Sequence, residues 1–403
     1  MTFVRSRCRR DMAIPQKQIA IRATYMRGGT SKGVFFTPND LPDVLRTDPV
    51  ALDRFMLRVI GSPDAYGRQT DGMGGATSST SKVVLVSKSS RPDCDVDYRF
   101  GAVSIEKPLV DWSGNCGNLT SAVGPFAIAR GLFVAPRNGI ATVRIWQANI
   151  RKKILAHIQV HNGEVVELGD FELDGVAFPG AEVRLEFLDP GADKGSEARG
   201  MFPTGHRVDT LDVPSVGAVE ATLINAGNPT IFIHAATLGL QGTELPNTVN
   251  NNSELIARLE AIRAHAAVAM GLAASAQEAT DKFPHTPRIA MVAPPATYTA
   301  SGAKTIAADV IDLTTRIMSM GKLHHAMTGT GAVATAVAAA IPGTLVNAVR
   351  GGSASLQVRL GHPSGVFTVG VEAAEADGQW TVTKVLLARS ARCLMDGRIF
   401  VPN

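Results

Sequence analysis

The stretch D-W-S-G-N-C-G-N-L-T-S-A-V-G-P-F-A-I, Asp111 to Ile128, sets one cysteine between turn residues and follows it with small apolar residues. That spacing puts Cys116 at the N-terminal end of a helix expected over 119–129 and stopped by Gly131. Unsatisfied N–H groups and the positive end of the helix dipole collect there. Such a setting favours thiolate and also binds a carboxylate or an enolate oxygen. The alternative is a small buried core cysteine. Lys82 closes the loop D-G-M-G-G-A-T-S-S-T-S-K and abuts the apolar run K-V-V-L-V. Its ammonium is either partly desolvated, with a lowered pKa, or an ordinary solvated loop end. In R-G-G-T-S-K-G, Arg27, Thr30, Ser31 and Lys32 could hold a carboxylate through backbone N–H groups and cationic side chains; a plain glycine turn is the alternative. Neither loop matches G-x-x-x-x-G-K-[ST], so a nucleotide P-loop is not indicated. Asn225 and Asn228, in N-A-G-N-P-T-I-F-I, either orient a ligand or shape the turn around Gly227 and Pro229. His324 and His325, with Lys322 beside them, have no third ligand at metal spacing and read as structural histidines.

Composition bounds the rest. The chain has 403 residues, enough for two domains or one large one, with 45% hydrophobic and 19% charged residues. Sizeable cores follow, and disorder is excluded. The net charge is +4, with no dense basic block after Arg5, Arg7, Arg9 and Arg10, so a nucleic-acid partner is not indicated. A mild positive balance suits small anionic substrates. Cys8, Cys94, Cys116 and Cys393 are scattered and form no C-x-x-C. That argues for a reducing, cytoplasmic setting and against a disulfide framework or structural zinc. No apolar run reaches 18 residues, so no membrane span is expected. The first dozen residues lack the apolar segment of a secretory signal.

Several elements must position these groups. Strands are expected at I-A-I-R-A-T-Y-M, V-F-F, K-V-V-L-V, D-V-D-Y-R-F-G-A-V-S-I, A-T-V-R-I-W-Q-A-N-I and K-I-L-A-H-I-Q-V, with a hairpin turn at His161-Asn162-Gly163. Helical periodicity marks 49–60, 253–269 and 308–318. The stretch 189–200 is the linker candidate. The run A-V-A-T-A-V-A-A-A-I, closed by Pro342-Gly343, is a second buried helix of small residues. N-C-G-N before the first such helix parallels T-G-T-G before the second, and strands follow each. The pattern predicts two copies of one α/β unit, each wrapping a sheet around a central helix, with the helix N-termini facing across a cleft.

Longer strings carry a resemblance. Y-M-R-G-G-T-S-K-G-V-F-F, I-G-S-P-D-A-Y-G, D-G-M-G-G-A-T-S-S-T-S-K and the Cys116 stretch resemble the PrpF family of 2-methylaconitate cis-trans isomerases. N-A-G-N-P-T-I-F-I and M-S-M-G-K-L-H-H-A-M fit as well, so the resemblance runs from Ile19 to the C-terminus. It implies an α/β (α+β) fold of the diaminopimelate epimerase type: two pseudo-symmetric domains, each a mostly antiparallel sheet around a central helix, with the site in the interdomain cleft. The expected parts are a basic extension (1–18), a first domain (19–195) with Lys82 and Cys116, a second domain (196–386) and a tail (387–403) packing back on the first. Epimerases of this fold use two cysteines, one at each central helix head. The first matches Cys116; the second falls on Thr328, whose hydroxyl is far too weak an acid to mirror a thiol. The family's proposed acid/base pair, a lysine and a cysteine, carries over to Lys82 and Cys116.

The implied chemistry starts from an unsaturated tricarboxylate with a CH₂ beside its C=C bond. Removing a proton from that CH₂ gives an extended dienolate, whose former double bond can rotate. Returning the proton to the same carbon completes a cis-trans isomerisation; returning it to the far end shifts the double bond. The reaction needs a base with a pKa near operating pH, N–H donors for the developing charge, and a cradle for three carboxylates. Asn115, Gly117 and Asn118 at one helix head, and Thr328, Gly329 and Thr330 at the other, with Asn228, Arg27, Thr30, Ser31 and Lys32, make up the expected substrate-binding set. No metal or organic cofactor is called for. The expected function is 2-methylaconitate isomerisation in propionate breakdown. The alternatives are an allylic shift on oxalomesaconate, aconitate or methylitaconate, or a non-catalytic accessory role beside a methylcitrate dehydratase. A homodimer and a functional link to such a dehydratase are the partner relations left open; an amino-acid racemase is disfavoured by Thr328.

Overall fold

Apolar and β-branched runs become strands, and the small-residue runs after Cys116 and Thr328 become the two central helices, Gly117–Ala129 and Gly329–Ala340. The computed structural model describes residues 18–191, 200–352, 355–376 and 379–402. The expected extension (1–18), apart from Gln18, and most of the expected linker (189–200) lie outside the described residues.

One order of strand pairing occurs twice. Ile19–Gly28 is antiparallel to Ser31–Phe36, which is parallel to Lys82–Lys88. That strand is antiparallel to Val96–Val103, which is parallel to Asn138–Gln147; Lys152–His161 and Glu182–Leu188 then follow antiparallel. In the second half, Gly217–Ala226, Asn228–His234, Arg288–Ala293, Leu313–Ser319, Gln357–His362, Gly365–Ala376 and Gln379–Val401 repeat the same series of antiparallel and parallel steps. A parallel step needs a crossover, and each crossover holds a helix. The first in each half is an outer helix, Pro49–Ile60 or Ser253–Ala269; the second is the central helix.

Pro49–Ile60 is capped by the Asp48 carboxylate, which accepts from Val50 N and Ala51 N, and stops at Gly61 in the left-handed region. Its apolar side packs on Ile21, Val34, Phe36 and Val83. The central helices are apolar all round because sheet surrounds them. Their small side chains let strands come close: a Cβ on Gly124 would sit 2.5 Å from Ile158 Cδ1.

The final strand, Gln379–Val401, serves both sheets. It pairs with Gly365–Ala376, then with Glu182–Leu188, then with Ile19–Gly28, and it runs unbroken past position 386. The first half's sheet thereby closes on itself.

One expected helix is absent. Residues 308–318 form a short 3₁₀ turn, Ala308–Val310, and then the fully buried strand Leu313–Ser319. The β-branched L-T-T-R-I-M-S run fits between Arg288–Ala293 and Gln357–His362, and that tertiary pairing outweighs the weak helical spacing. Among the described residues no helix is long and apolar enough to cross a membrane. Cys94, Cys116 and Cys393 are free thiols.

Candidate active site

The two central helices meet head to head. Cys116 is the N-cap of the first and Thr328 of the second. A Cβ on Gly117 would lie 2.7 Å from Thr330 N, and one on Gly329 would lie 2.6 Å from the Gly117 carbonyl carbon. Only glycine at both first positions allows this approach. The heads therefore touch rather than face each other across an open gap, and two positive dipole ends converge on one point.

The caps differ. Thr328 Oγ1 accepts from Gly331 N at 3.2 Å, closing its own helix. Cys116 makes no side-chain cap bond. Its thiol lies instead within electrostatic reach of the Lys82 ammonium. Lys82 is 3% and Cys116 5% exposed. The Lys82 ammonium lies 4.9 Å from the centre of the Phe100 ring. Burial pushes its pKa below the ordinary lysine value; Cys116 opposes that shift and the Arg288 charge adds to it.

Arg288 and His285 complete the interior, and neither belongs to the set expected from sequence. His285 packs 5.4 Å from Phe100, centre to centre. Its pKa is held well below the usual value, first by burial and then by the Arg288 and Lys82 charges, so the ring is neutral. His285 N donates to Asp111 Oδ2 at 2.8 Å, and Ser113 occupies Asp111 Oδ1. Arg288 Nη2 lies 3.1 Å from His285 Nε2. A signal for Arg288 does exist in the sequence: P-R-I-A-M-V-A sets a cation directly before an apolar strand, as S-K-V-V-L-V does at Lys82.

The expected asparagines join the halves. Asn228 Oδ1 accepts from Asn115 N at 2.9 Å, and its Nδ2 donates to Asn115 O at 3.0 Å. Asn118 Nδ2 donates to Thr30 Oγ1 at 3.0 Å, and Asn118 Oδ1 accepts from Arg389 Nε at 3.0 Å. Gly29 and Thr30 thus pack on the first helix head, and Ser31 is buried beside them.

Arg27 and Lys32 do not join this group. Strand alternation turns them to the layer that holds Tyr25. Lys32 Nζ lies 5.3 Å from the Tyr25 ring centre, and Arg27 Nη1 donates to Ser390 O at 2.9 Å and to Gly29 O at 3.2 Å. Asn225 is half-buried and its N donates to Met201 O at 2.8 Å. His324 and His325 stack 4.7 Å apart; His325 Nδ1 lies 3.4 Å from Ser79 Oγ of the loop before Lys82. Among the described residues no group of three or more His, Cys, Asp or Glu could hold a metal ion.

The result is a buried site that sets an amine and a thiol within electrostatic reach of each other, with a second cation and two helix heads beside them. Buried Asn115 Nδ2, Thr286 Oγ1, Thr330 Oγ1 and Arg288 Nε and Nη1 have no hydrogen-bond partner. Such an array could hold the carboxylates of an anionic ligand through its cations and free donors.

Residues 18–402 match the family described as "PrpF protein". The chain is 58% identical to the 2-methyl-aconitate isomerase of Shewanella oneidensis, over 96% of this chain and 98% of that protein. It is 57% identical to the 2-methyl-aconitate isomerase of Cupriavidus necator, over the same shares. Among solved structures, methylitaconate-delta-isomerase superposes with a TM-score of 0.73 at 40% identity, covering 96% of each chain. A hydroxyproline epimerase from Agrobacterium vitis shares the fold at a TM-score of 0.53 and 12% identity, covering 95% of this chain and 93% of that one.

Proposed function

The chain belongs to the PrpF family, and from that membership we infer that it is an isomerase of unsaturated tricarboxylates whose substrate is 2-methylaconitate. The reading rests on relatives at 57–58% identity that carry that activity in their names. It places the protein in the cytoplasmic breakdown of propionate by way of 2-methylcitrate, acting without a cofactor.

Lys82 and Cys116 are the proposed acid/base pair, and the single observation that carries this is that both are buried within electrostatic reach of each other, Cys116 at the head of the first central helix. One of the two takes a proton from the substrate CH₂, leaving a dienolate delocalised over the adjacent alkene and carboxylate. Rotation about the bond with reduced double-bond character follows. The protonated partner then returns a proton to the same carbon, so protons and charge balance over the cycle. Lowering of the Lys82 pKa by burial brings the amine nearer to operating pH, as a general base requires. N–H groups at the abutting helix heads face the developing charge, each worth about 3–4 kcal/mol by the measure of oxyanion-hole donors.

The test is proton NMR of 2-methylaconitate with the protein in D₂O. The expected result is isomerisation with deuterium entering the CH₂. Neither isomerisation nor exchange in folded protein would overturn the reading. Likeness to methylitaconate-delta-isomerase supports a second outcome of the same intermediate, reprotonation at the far carbon; deuterium at that carbon identifies it. An accessory role without catalysis predicts that Cys116→Ser and Lys82→Ala both still support growth on propionate.

A further inference from the structure

We propose that Arg288 anchors one carboxylate of the substrate and is the second half's counterpart of Lys82. This deepens the tricarboxylate reading and rests on it.

The duplicated strand order makes the correspondence. Lys82 opens the third strand of its half, and Arg288 opens the third strand of the other. The register agrees: Phe35 pairs with Val84, two residues after Lys82, and Phe232 pairs with Ala290, two residues after Arg288. Phe35, Val84, Val86, Phe232, Ala290 and Val292 all face the common core around the central helices, so alternation sends Lys82 and Arg288 inward as well. The internal symmetry therefore relates the helix heads to each other, Cys116 to Thr328, and relates the two strand-opening cations in the same way.

The two cations are not chemically alike. An amine with a lowered pKa can gain and lose a proton. A guanidinium keeps its charge and offers a planar array of donors suited to a carboxylate. Arg288 is 3% exposed and forms no ion pair among the described residues. Asp111, whose charge acts on Arg288, is already held by Ser113 and by His285 N. Arg288 uses Nη2 on His285, while Nε and Nη1 are buried without a partner. A buried cation left this way carries a desolvation cost that a bound anion removes. Cys116 lies within electrostatic reach of Arg288, and His285, which contacts Arg288 Nη2, feels the Lys82 charge, so both cations share one region of the interior.

The test is calorimetric binding of propane-1,2,3-tricarboxylate, a saturated mimic, to the wild-type chain and to Arg288→Met and Arg288→Lys, with steady-state kinetics on 2-methylaconitate. The expected result is a Kd raised roughly 10- to 100-fold in Arg288→Met, by the loss of charge-assisted hydrogen bonds. KM should rise in parallel, and kcat at saturation should stay within a few-fold. Arg288→Lys keeps the charge without the planar donors, so it should fall between the two, and it carries the test if the methionine variant does not fold. Kd and KM within twofold of wild type in a folded variant would overturn the inference and show that water alone occupies those donors. Failure of the wild-type chain itself to bind the mimic would count against the tricarboxylate reading instead.

Discussion

The two helix heads begin from the same backbone plan and end in different chemistry. At the second, the Thr328 hydroxyl is spent on its own helix, bonded to Gly331 N. At the first, the Cys116 thiol leaves its helix uncapped by a side chain and lies within electrostatic reach of Lys82. One head is finished structurally; the other holds a reactive group in reserve. A duplicated unit thus becomes chemically one-sided, as the proposed acid/base pair requires: the half that keeps the thiol also has the lysine, and the other half has the arginine.

The comparison breaks most readily at the reactive head. Cys116→Ser and Lys82→Met should each lower kcat by about 10²–10⁴, the usual span of a general acid or base, measured as CH₂ deuterium exchange by NMR. Activity within threefold of wild type in either would remove the one-sided picture. Next in size is the junction itself. Gly329→Ala brings a methyl to within 2.6 Å of Gly117 backbone, and overpacking of that kind costs about 1–3 kcal/mol, read as a lower midpoint in urea unfolding. Because the glycines mirror each other, Gly117→Ala should cost a similar amount.

The structural head gives a smaller effect. Thr328→Ala removes a cap and should cost about 1 kcal/mol, with kcat changed less than fivefold. A loss of kcat comparable to that of Cys116→Ser would show that the heads are functionally equivalent after all. The smallest effect is a slope. The folded-state pKa of Lys82 lies below 10.5, so between that lowered value and 10.5 the unfolded chain binds more protons than the folded one. Stability at this position therefore rises with pH through that window. The stability gap between Lys82→Met and wild type should change in wild type's favour as pH rises towards 10.5, and a flat difference would mean that Lys82 titrates normally.

Legibility in the sequence followed the range of each signal. Cys116 was readable because turn residues and a small apolar helix lie next to it in the chain. Lys82 was readable because an apolar strand begins at it. Asn118 and Asn228 were found as candidates, but their work of bridging the halves depends on partners far away, Arg389 for one and Asn115 for the other. Arg27 and Lys32 looked equivalent to Thr30 and Ser31 as a cluster of polar residues; strand pleating separates them by face, and a loop-like string hid that alternation. Arg288 gave the same local signal as Lys82, yet its meaning emerges only once the parallel pairing of Asn228–His234 with Arg288–Ala293 matches that of Ser31–Phe36 with Lys82–Lys88. The strand at Leu313–Ser319 carries helical spacing in the sequence, and the neighbours that make it a strand are remote in the chain on both sides.

The last strand has a mechanical consequence. Lys82 and Cys116 are buried, so a ligand that is to touch them needs the surrounding structure to give way. Gln379–Val401 is stitched into both sheets, and at the handover Ser390 O receives Gly29 N at 2.9 Å while Arg389 grips Asn118. The molecule cannot open like beads on a string. Any separation of the halves has to bend this shared strand, and the strand itself holds the loop at Gly29 and the first helix head at Asn118.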